Sequence, residues 1–198
     1  MTKKLQWTKI EPDFHGFQYL TDKDIIYYHL EYKSSLGFDH LDNSYVLNYK
    51  KDIKYRCSNH WHYKKEAIEY FANLLINTPF GNNRTLISAP ISKRRDSQFF
   101  DSRNDDVLKI VNQRTNIPIS FNLEANRDIE PVHLKSGYRK PEHLKGFYSF
   151  IPFEIVPEIV YIVDDVITSG SSFVVLRDLI KERHPSVEVR GLYLARAV

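Results

Sequence analysis

Four apolar residues, two adjacent carboxylates, two more apolar residues and then a run of hydroxyl and glycine residues make up Val160-Tyr161-Ile162-Val163-Asp164-Asp165-Val166-Ile167-Thr168-Ser169-Gly170-Ser171-Ser172. A short apolar run of this kind, bounded by polar residues, is a buried strand. The residues beyond it, 172–183, carry a helical pattern, and 187–195 read as a further strand. Strand, tight turn, helix, strand is a βαβ unit, and it implies a parallel sheet with right-handed crossovers. In such sheets ligands bind beyond the carboxyl ends of the strands. A helix start there offers unpaired N–H groups and partial positive charge to a phosphate. Asp164 and Asp165 are therefore placed to accept from sugar hydroxyls. Thr168, Ser169, Gly170, Ser171 and Ser172 are placed to wrap a phosphate. An Asp-Asp pair alone would equally suit a solvated turn with a Ser cap; it is the complete string that separates the readings.

The rest of the chain is read around that unit. Ile25–Tyr32 and Tyr45–Tyr55 are rich in Tyr, Ile and Val; they read as strands of a hairpin, with residues 34–44 as the turn. Tyr63–Ile76 has apolar residues Ala67, Ile68, Phe71, Leu74 and Leu75 at helical spacing. From Thr85 onward strands and helices alternate, with strands at Leu86–Ala89, Ile117–Phe121 and Ile159–Val163 and a helix at Asp105–Arg114. Residues 123–157 show no clear period, and a loop that long in a compact domain covers or selects something. The reading is an α/β fold in two parts: residues 1–62, a β-rich N-terminal extension packed on the core, and 63–198, the α/β domain proper.

The string at 160–172 resembles the phosphoribosyl pyrophosphate (PRPP) signature of type I phosphoribosyltransferases, and every one of its positions fits. That resemblance implies the type I phosphoribosyltransferase fold: a mainly parallel sheet flanked by helices, with residues 123–157 as a hood-like loop. It further implies that Asp164 and Asp165 are catalytic, contacting the ribose 2- and 3-hydroxyls directly or through Mg²⁺ and its waters. Thr168–Ser172 would hold the 5-phosphate. Thr168 stands where members acting on hypoxanthine or guanine carry an acid, and a threonine cannot manage a ring proton. The resemblance thus argues against a 6-oxopurine acceptor.

The loop after Leu86–Ala89 lies where the family places its pyrophosphate loop. Ser92, Lys93, Arg94 and Arg95 are its candidate pyrophosphate contacts, since a leaving pyrophosphate gathers negative charge and needs cations. The layout over residues 85–198 is most similar to the competence-factor ComF branch. Ser97–Arg103 corresponds to that branch's aromatic segment, and Arg127, His133, Arg139 and Gly146-Phe147 follow in its order. The branch usually opens with a Cys-rich zinc ribbon, whereas this chain has one cysteine.

Smaller clusters read as structural. Cys57, His60 and His62 have incomplete spacing for a metal site, and His133 and His143 have no visible partner. Net charge is +3, a mild basic balance that suits phosphates or nucleic acid without selecting either. One cysteine fits a reducing compartment, no apolar run approaches membrane-spanning length, and the start lacks a signal-peptide pattern. The expectation is a cytoplasmic protein binding Mg²⁺ and PRPP or a related ribose phosphate, with an unspecified acceptor and room for a homodimer. Two functions stay open: transfer or hydrolysis of the phosphoribosyl group, and a non-catalytic role in DNA uptake, nucleic-acid handling or bacterial defence.

Overall fold

The computed structural model describes residues 6–128 and 140–198. In chain order its elements begin with β1 (Thr8–Lys9), α1 (Pro12–His15), β2 (Ile25–Tyr32), α2 (Leu41–Tyr49), α3 (His62–Ile76) and β3 (Arg84–Ser88). They continue with α4 (Arg103–Thr115), β4 (Ile119–Ser120), β5 (Leu123–Ala125), α5 (Pro141–Leu144) and β6 (Tyr148–Phe150). The last three are β7 (Ile159–Ile167), α6 (Ser171–Arg183) and β8 (Glu188–Ala197). The main sheet has the order β1-β2-β8-β7-β3-β4, and β5 pairs with β6 in a small second sheet. All main-sheet pairings are parallel except β1 with β2. The architecture is α/β, a mostly parallel sheet flanked by helices.

Side chains alternate across a strand, and here the alternation separates two cores. Val160 and Ile162 of β7, with Ile87 of β3, pack under α6, α5 and the β5–β6 ribbon. Tyr161 and Val163, with Leu86, pack under α2, α3 and α4. Helices on both faces explain why β7 is apolar throughout its first half.

The order of connections fixes where a ligand would sit. From β3, helix α4 leads outward to β4; from β7, helix α6 leads the opposite way to β8. The adjacent strands β3 and β7 therefore flank a topological switch point, the place where open α/β sheets keep a crevice at their carboxyl ends.

The hairpin expected from Ile25–Tyr32 and Tyr45–Tyr55 does not form. β2 instead runs parallel to β8, from Ile25 opposite Arg190 to Tyr32 opposite Ala197, with β1 on its other side. Residues 41–49 are helix α2, followed by a 3₁₀ turn at Ile53–Tyr55. The reason lies in that helix's buried face, which comprises Asp42, Asn43, Val46 and Tyr49. Half of it is polar, so hydropathy could not reveal its period. Asn43 docks the helix on the end of β2: its Oδ1 accepts from the Lys33 N–H at 3.0 Å and its Nδ2 donates to the Lys33 carbonyl at 2.6 Å. No helix among the described residues is long and apolar enough to cross a membrane.

Candidate functional site

β7 carries Asp164 and Asp165 to the switch point, and their surroundings differ. Asp165, 8% exposed, accepts from Arg103 Nη2 at 2.7 Å and from the Val166 N–H at 2.6 Å, with Lys50 Nζ 4.0 Å away. Burial alone would raise its pKa, but Lys50, Arg103 and the backbone donor together hold it below the usual carboxylate range. Asp164 forms no salt bridge among the described residues, and the Arg103 charge acts on it only as a lesser influence. Its Oδ1 accepts from Asn104 Nδ2 at 3.1 Å and from the Asp165 N–H at 2.8 Å. Burial first, and the neighbouring Asp165 charge second, push its pKa up to about 7. Two adjacent carboxylates are thus driven apart in proton affinity, the pattern of groups given different tasks.

Behind the pair runs a buried polar network. Arg103, at the start of α4, donates Nη1 to Asp101 at 2.7 Å as it donates Nη2 to Asp165, and its guanidinium lies 5.8 Å from the Tyr49 ring centroid. Asp101 also receives Lys64 Nζ at 2.6 Å. Lys64 is 2% exposed and donates further to the carbonyls of Lys51 (2.7 Å) and Tyr49 (3.1 Å). Its three ammonium protons thus find three acceptors. The Tyr49 hydroxyl donates to Asn104 Oδ1 at 2.8 Å, and Asn104 Nδ2 also reaches the Ala89 carbonyl at 3.1 Å. Three helices, α2, α3 and α4, are pinned to the carboxylate pair by these bonds. Sequence reasoning missed Arg103, Asn104, Lys64 and Tyr49 as members of the site. A signal did exist: Lys64 shares a stripe with Ala67, Ile68 and Phe71, and Asn104 shares one with Leu108 and Val111. Polar residues on an apolar stripe need partners.

Thr168–Ser172 form the turn from β7 into α6. Thr168 is exposed, while Ser169 and Ser171 are each 6% exposed and their hydroxyls bond to one another at 2.8 Å. The α6 N-cap is Gly170, which offers no side-chain cap to the first amides of this 13-residue helix. The Ser171 N–H reaches only the Ser169 hydroxyl oxygen, at a long 3.5 Å, so the helix start is open to an external acceptor. Gly170 has φ +82, and an added Cβ would lie 2.5 Å from Leu20 Cδ2 and 2.6 Å from its Cγ. The glycine is therefore required by packing against Leu20 as well as by its left-handed backbone. Gly170→Val is expected to lower thermal stability sharply even without ligand, by overpacking and backbone strain of roughly 1–3 kcal/mol each. A melt unchanged from wild type would show that Leu20 moves aside freely.

The loop 90–95 follows β3. Lys93 Nζ lies 3.4 Å from Asp128, Arg94 pairs with Asp96 at 2.5 Å, and Arg95 pairs with Asp105 of α4. Asp105 also accepts from the Ser88 hydroxyl at 2.6 Å, and the Arg95 guanidinium sits over the rings of Phe100 (5.5 Å) and Phe121 (5.4 Å). Lys93 and Arg95 line the small cleft beside β3, Arg94 is not part of that lining, and each of the three cations has an acid beside it. Ser92 is exposed. Leu123, Glu124 and Ala125 of β5 line the same small cleft as Ala89, Pro90, Ile91, Lys93 and Arg95, so the start of segment 123–157 borders the candidate site. Within that segment Arg127 stacks 3.8 Å from the Phe147 ring centroid; His133 and Arg139 lie outside the described residues. Cys57, His60 and His62 do not converge, and no group of three or more metal-ligating side chains occurs among the described residues.

The donor set bears on Mg²⁺. Asp165 already spends both oxygens on Val166 and Arg103, and Asp164 spends one on Asn104 and a backbone N–H. Mg²⁺ usually keeps several waters and takes one or two carboxylates together with substrate phosphates. These residues fit an ion that arrives with a polyphosphate and is held largely through water.

No family model and no curated protein matches the chain. Among solved structures, adenine phosphoribosyltransferase from Leishmania tarentolae is similar at 10% sequence identity, over 96% of this chain and 94% of that chain, with a TM-score of 0.44.

Proposed function

We propose that this chain is a phosphoribosyltransferase-like protein that binds Mg-PRPP at the switch point and transfers or hydrolyses its phosphoribosyl group, releasing pyrophosphate. One observation carries the reading: a carboxylate pair, Asp165 bridged to Arg103 and Asp164 held by Asn104, stands near the end of β7 just before a helix start whose N-cap, Gly170, has no side chain to cap it. The α6 amides and the hydroxyls of Thr168–Ser172 receive the 5-phosphate. Asp164 and Asp165 accept from the ribose hydroxyls, with Lys50 and Arg103 keeping Asp165 ionised. Lys93, Arg94 and Arg95, with Ser92, meet the pyrophosphate, where negative charge accumulates as the C1–O bond lengthens. Mg²⁺, when bound beside Asp164 and Asp165 through water, supplies further neutralisation of that charge. Catalysis of this kind rests on positioning and electrostatics, without a covalent intermediate. The ComF-like subtype and a reducing, cytoplasmic setting belong to the same proposal.

The second reading, a non-catalytic protein that keeps only the ribose-phosphate site, is favoured by one feature: each loop cation already has an acid of this chain beside it. Thermal melts with Mg-PRPP, pyrophosphate and ribose 5-phosphate discriminate the two. Arg94 is the clean probe, because its side chain is 50% exposed, whereas removing Arg95 would strand Asp105. If the loop meets pyrophosphate, Arg94→Ala is expected to weaken Mg-PRPP and pyrophosphate about tenfold or more, the cost of roughly 1.5–3 kcal/mol for a charge-assisted bond. Ribose 5-phosphate should bind as before. Equal binding of all three ligands by the variant would remove the loop from the site.

A further inference from the structure

Outside the switch point, the segment joining α2 to α3 builds a second concavity. A cleft of about 490 Å³ is lined by Phe38, Asn48, Lys51, Tyr55, Ser58, His60 and Tyr63, within the roughly 300–1,000 Å³ that suits a small organic group. Phe38, Tyr55 and Tyr63 are 59%, 51% and 43% exposed, so large ring faces are left in water. A cluster of exposed rings of this kind marks an interaction site. His60 stacks with Tyr63 at 6.1 Å and 11°, and Asn48 and Ser58 add polar groups to the same walls.

Charge decides between an apolar partner and an anionic one. Residues 48–66 hold six Lys and Arg against Asp52 and Glu66, an excess of four where the whole chain has an excess of three. Setting aside Lys64, which is buried against Asp101, the excess is still as large as that of the entire protein. Lys51 Nζ lies 5.4 Å from the Tyr63 ring centroid and Lys54 Nζ 5.1 Å from that of Tyr55. The cleft lining contains no carboxylate among the described residues. Among the described residues Lys54 has only the exposed Asp52 at 3.7 Å, a pair of little strength. Arg56 has no carboxylate partner among the described residues and rests 6.0 Å from the Trp61 ring. Rings that can stack on bases, interleaved with cations that can follow a phosphate backbone, are the components of single-strand recognition.

We propose that the cleft between Phe38, Tyr55 and Tyr63 is a binding site for single-stranded nucleic acid, whose unpaired bases stack on these rings while Lys51, Lys54 and Arg56 meet its phosphates. A duplex hides its base faces and cannot use the rings. The site is distinct from the ribose-phosphate crevice: Lys50 faces Asp165, and its neighbour Lys51 faces the cleft.

The test is fluorescence anisotropy of a short labelled oligothymidylate against the full chain, with the matching duplex and thymidine monophosphate as competitors. Wild type is expected to bind the single strand at least tenfold more tightly than the duplex and far more tightly than the mononucleotide. Tyr55→Ala with Tyr63→Ala should lose tenfold or more, and Tyr55→Phe with Tyr63→Phe should retain binding. Lys51→Ala with Lys54→Ala should flatten the salt dependence. Lys54, Tyr55 and Tyr63 are exposed and Lys51 is half-buried with its ammonium on the His60 carbonyl, and unchanged melts confirm that the variants fold. No binding at low salt would overturn the proposal. So would a duplex bound equally well with the alanine pair silent, or a mononucleotide bound as tightly as the oligomer. Self-association by light scattering that the alanine pair abolishes would overturn it too, since the rings would then belong to a protein interface.

Discussion

Replacing Arg103 with alanine is expected to destabilise the protein by roughly 3–5 kcal/mol, the cost of removing one partner from a buried ion pair. The guanidinium, with 14% of its side chain exposed, bridges Asp101 and Asp165, which are each 8% exposed. Without it, Asp101, just ahead of α4, and Asp165, on β7, lose their shared cation, and among the described residues they keep only Lys64 and Lys50 respectively. In a chain of this size each kcal/mol corresponds to about 2–4 °C, so the melting temperature should fall by roughly 6–20 °C. Arg103→Lys keeps a charge but cannot bridge both acids in the guanidinium's fork, and it should recover only part of the loss. A change of less than about 1 kcal/mol would mean that the pair behaves as a solvated surface bridge.

Asp164→Asn is expected to do the opposite in the free protein. Asp164 has a pKa pushed up to about 7 by burial and by Asp165, against about 3.9 in an unfolded chain. Between those values the native state binds more protons than the unfolded state. Stability therefore falls as pH rises through that window and levels off above about 7. Asp165, held below the ordinary range by Lys50 and Arg103 against the effect of burial, acts in the other direction: its stabilisation is present above the unfolded pKa and is lost as pH falls through the folded one. Asparagine at position 164 cannot ionise, yet it can still accept from Asn104. The variant should lose the decline towards neutral pH and melt above wild type in alkaline buffer, while losing affinity for a ribose phosphate. A site that is less stable than its uncharged replacement is the usual mark of a group kept for function. Melting curves across pH 4–9 or thereabouts check the sign directly. A wild-type profile that is flat over that range would show that Asp164 titrates like an ordinary surface acid.

How much of this could be read from the sequence depended on whether burial was apolar. β7, α6 and β8 were legible because Val160–Val163, Phe173–Ile180 and Leu192–Ala195 bury hydrocarbon at strand or helix spacing. The α3 and α4 helices were legible for the same reason. Helix α2 was not, because Asp42 and Asn43 take half of its buried face and Tyr45, Val46 and Tyr49 imitate a strand. The pairing of β2 with β8 joins residues far apart in sequence, and no local pattern reports it. Within the candidate site, the carboxylate pair and the turn after it were visible as a string. Their partners were not, since Arg103 and Asp165 are 62 positions apart and come together only when α4 packs on the sheet. The glycine at 170 was legible as a special position. Its contact with Leu20 was not, because that residue lies in the irregular stretch before β2.

Calorimetric titration of the protein with PRPP in the presence of Mg²⁺ tests the central claim most directly, with Asp164→Asn/Asp165→Asn as its partner experiment. The expected result is saturable binding by wild type at micromolar to millimolar ligand, and none by the double variant, whose fold is verified by circular dichroism. Heat no greater than dilution for the wild type at millimolar Mg-PRPP would contradict the assignment of the switch-point crevice to a ribose phosphate, and so would undiminished binding by the folded double variant.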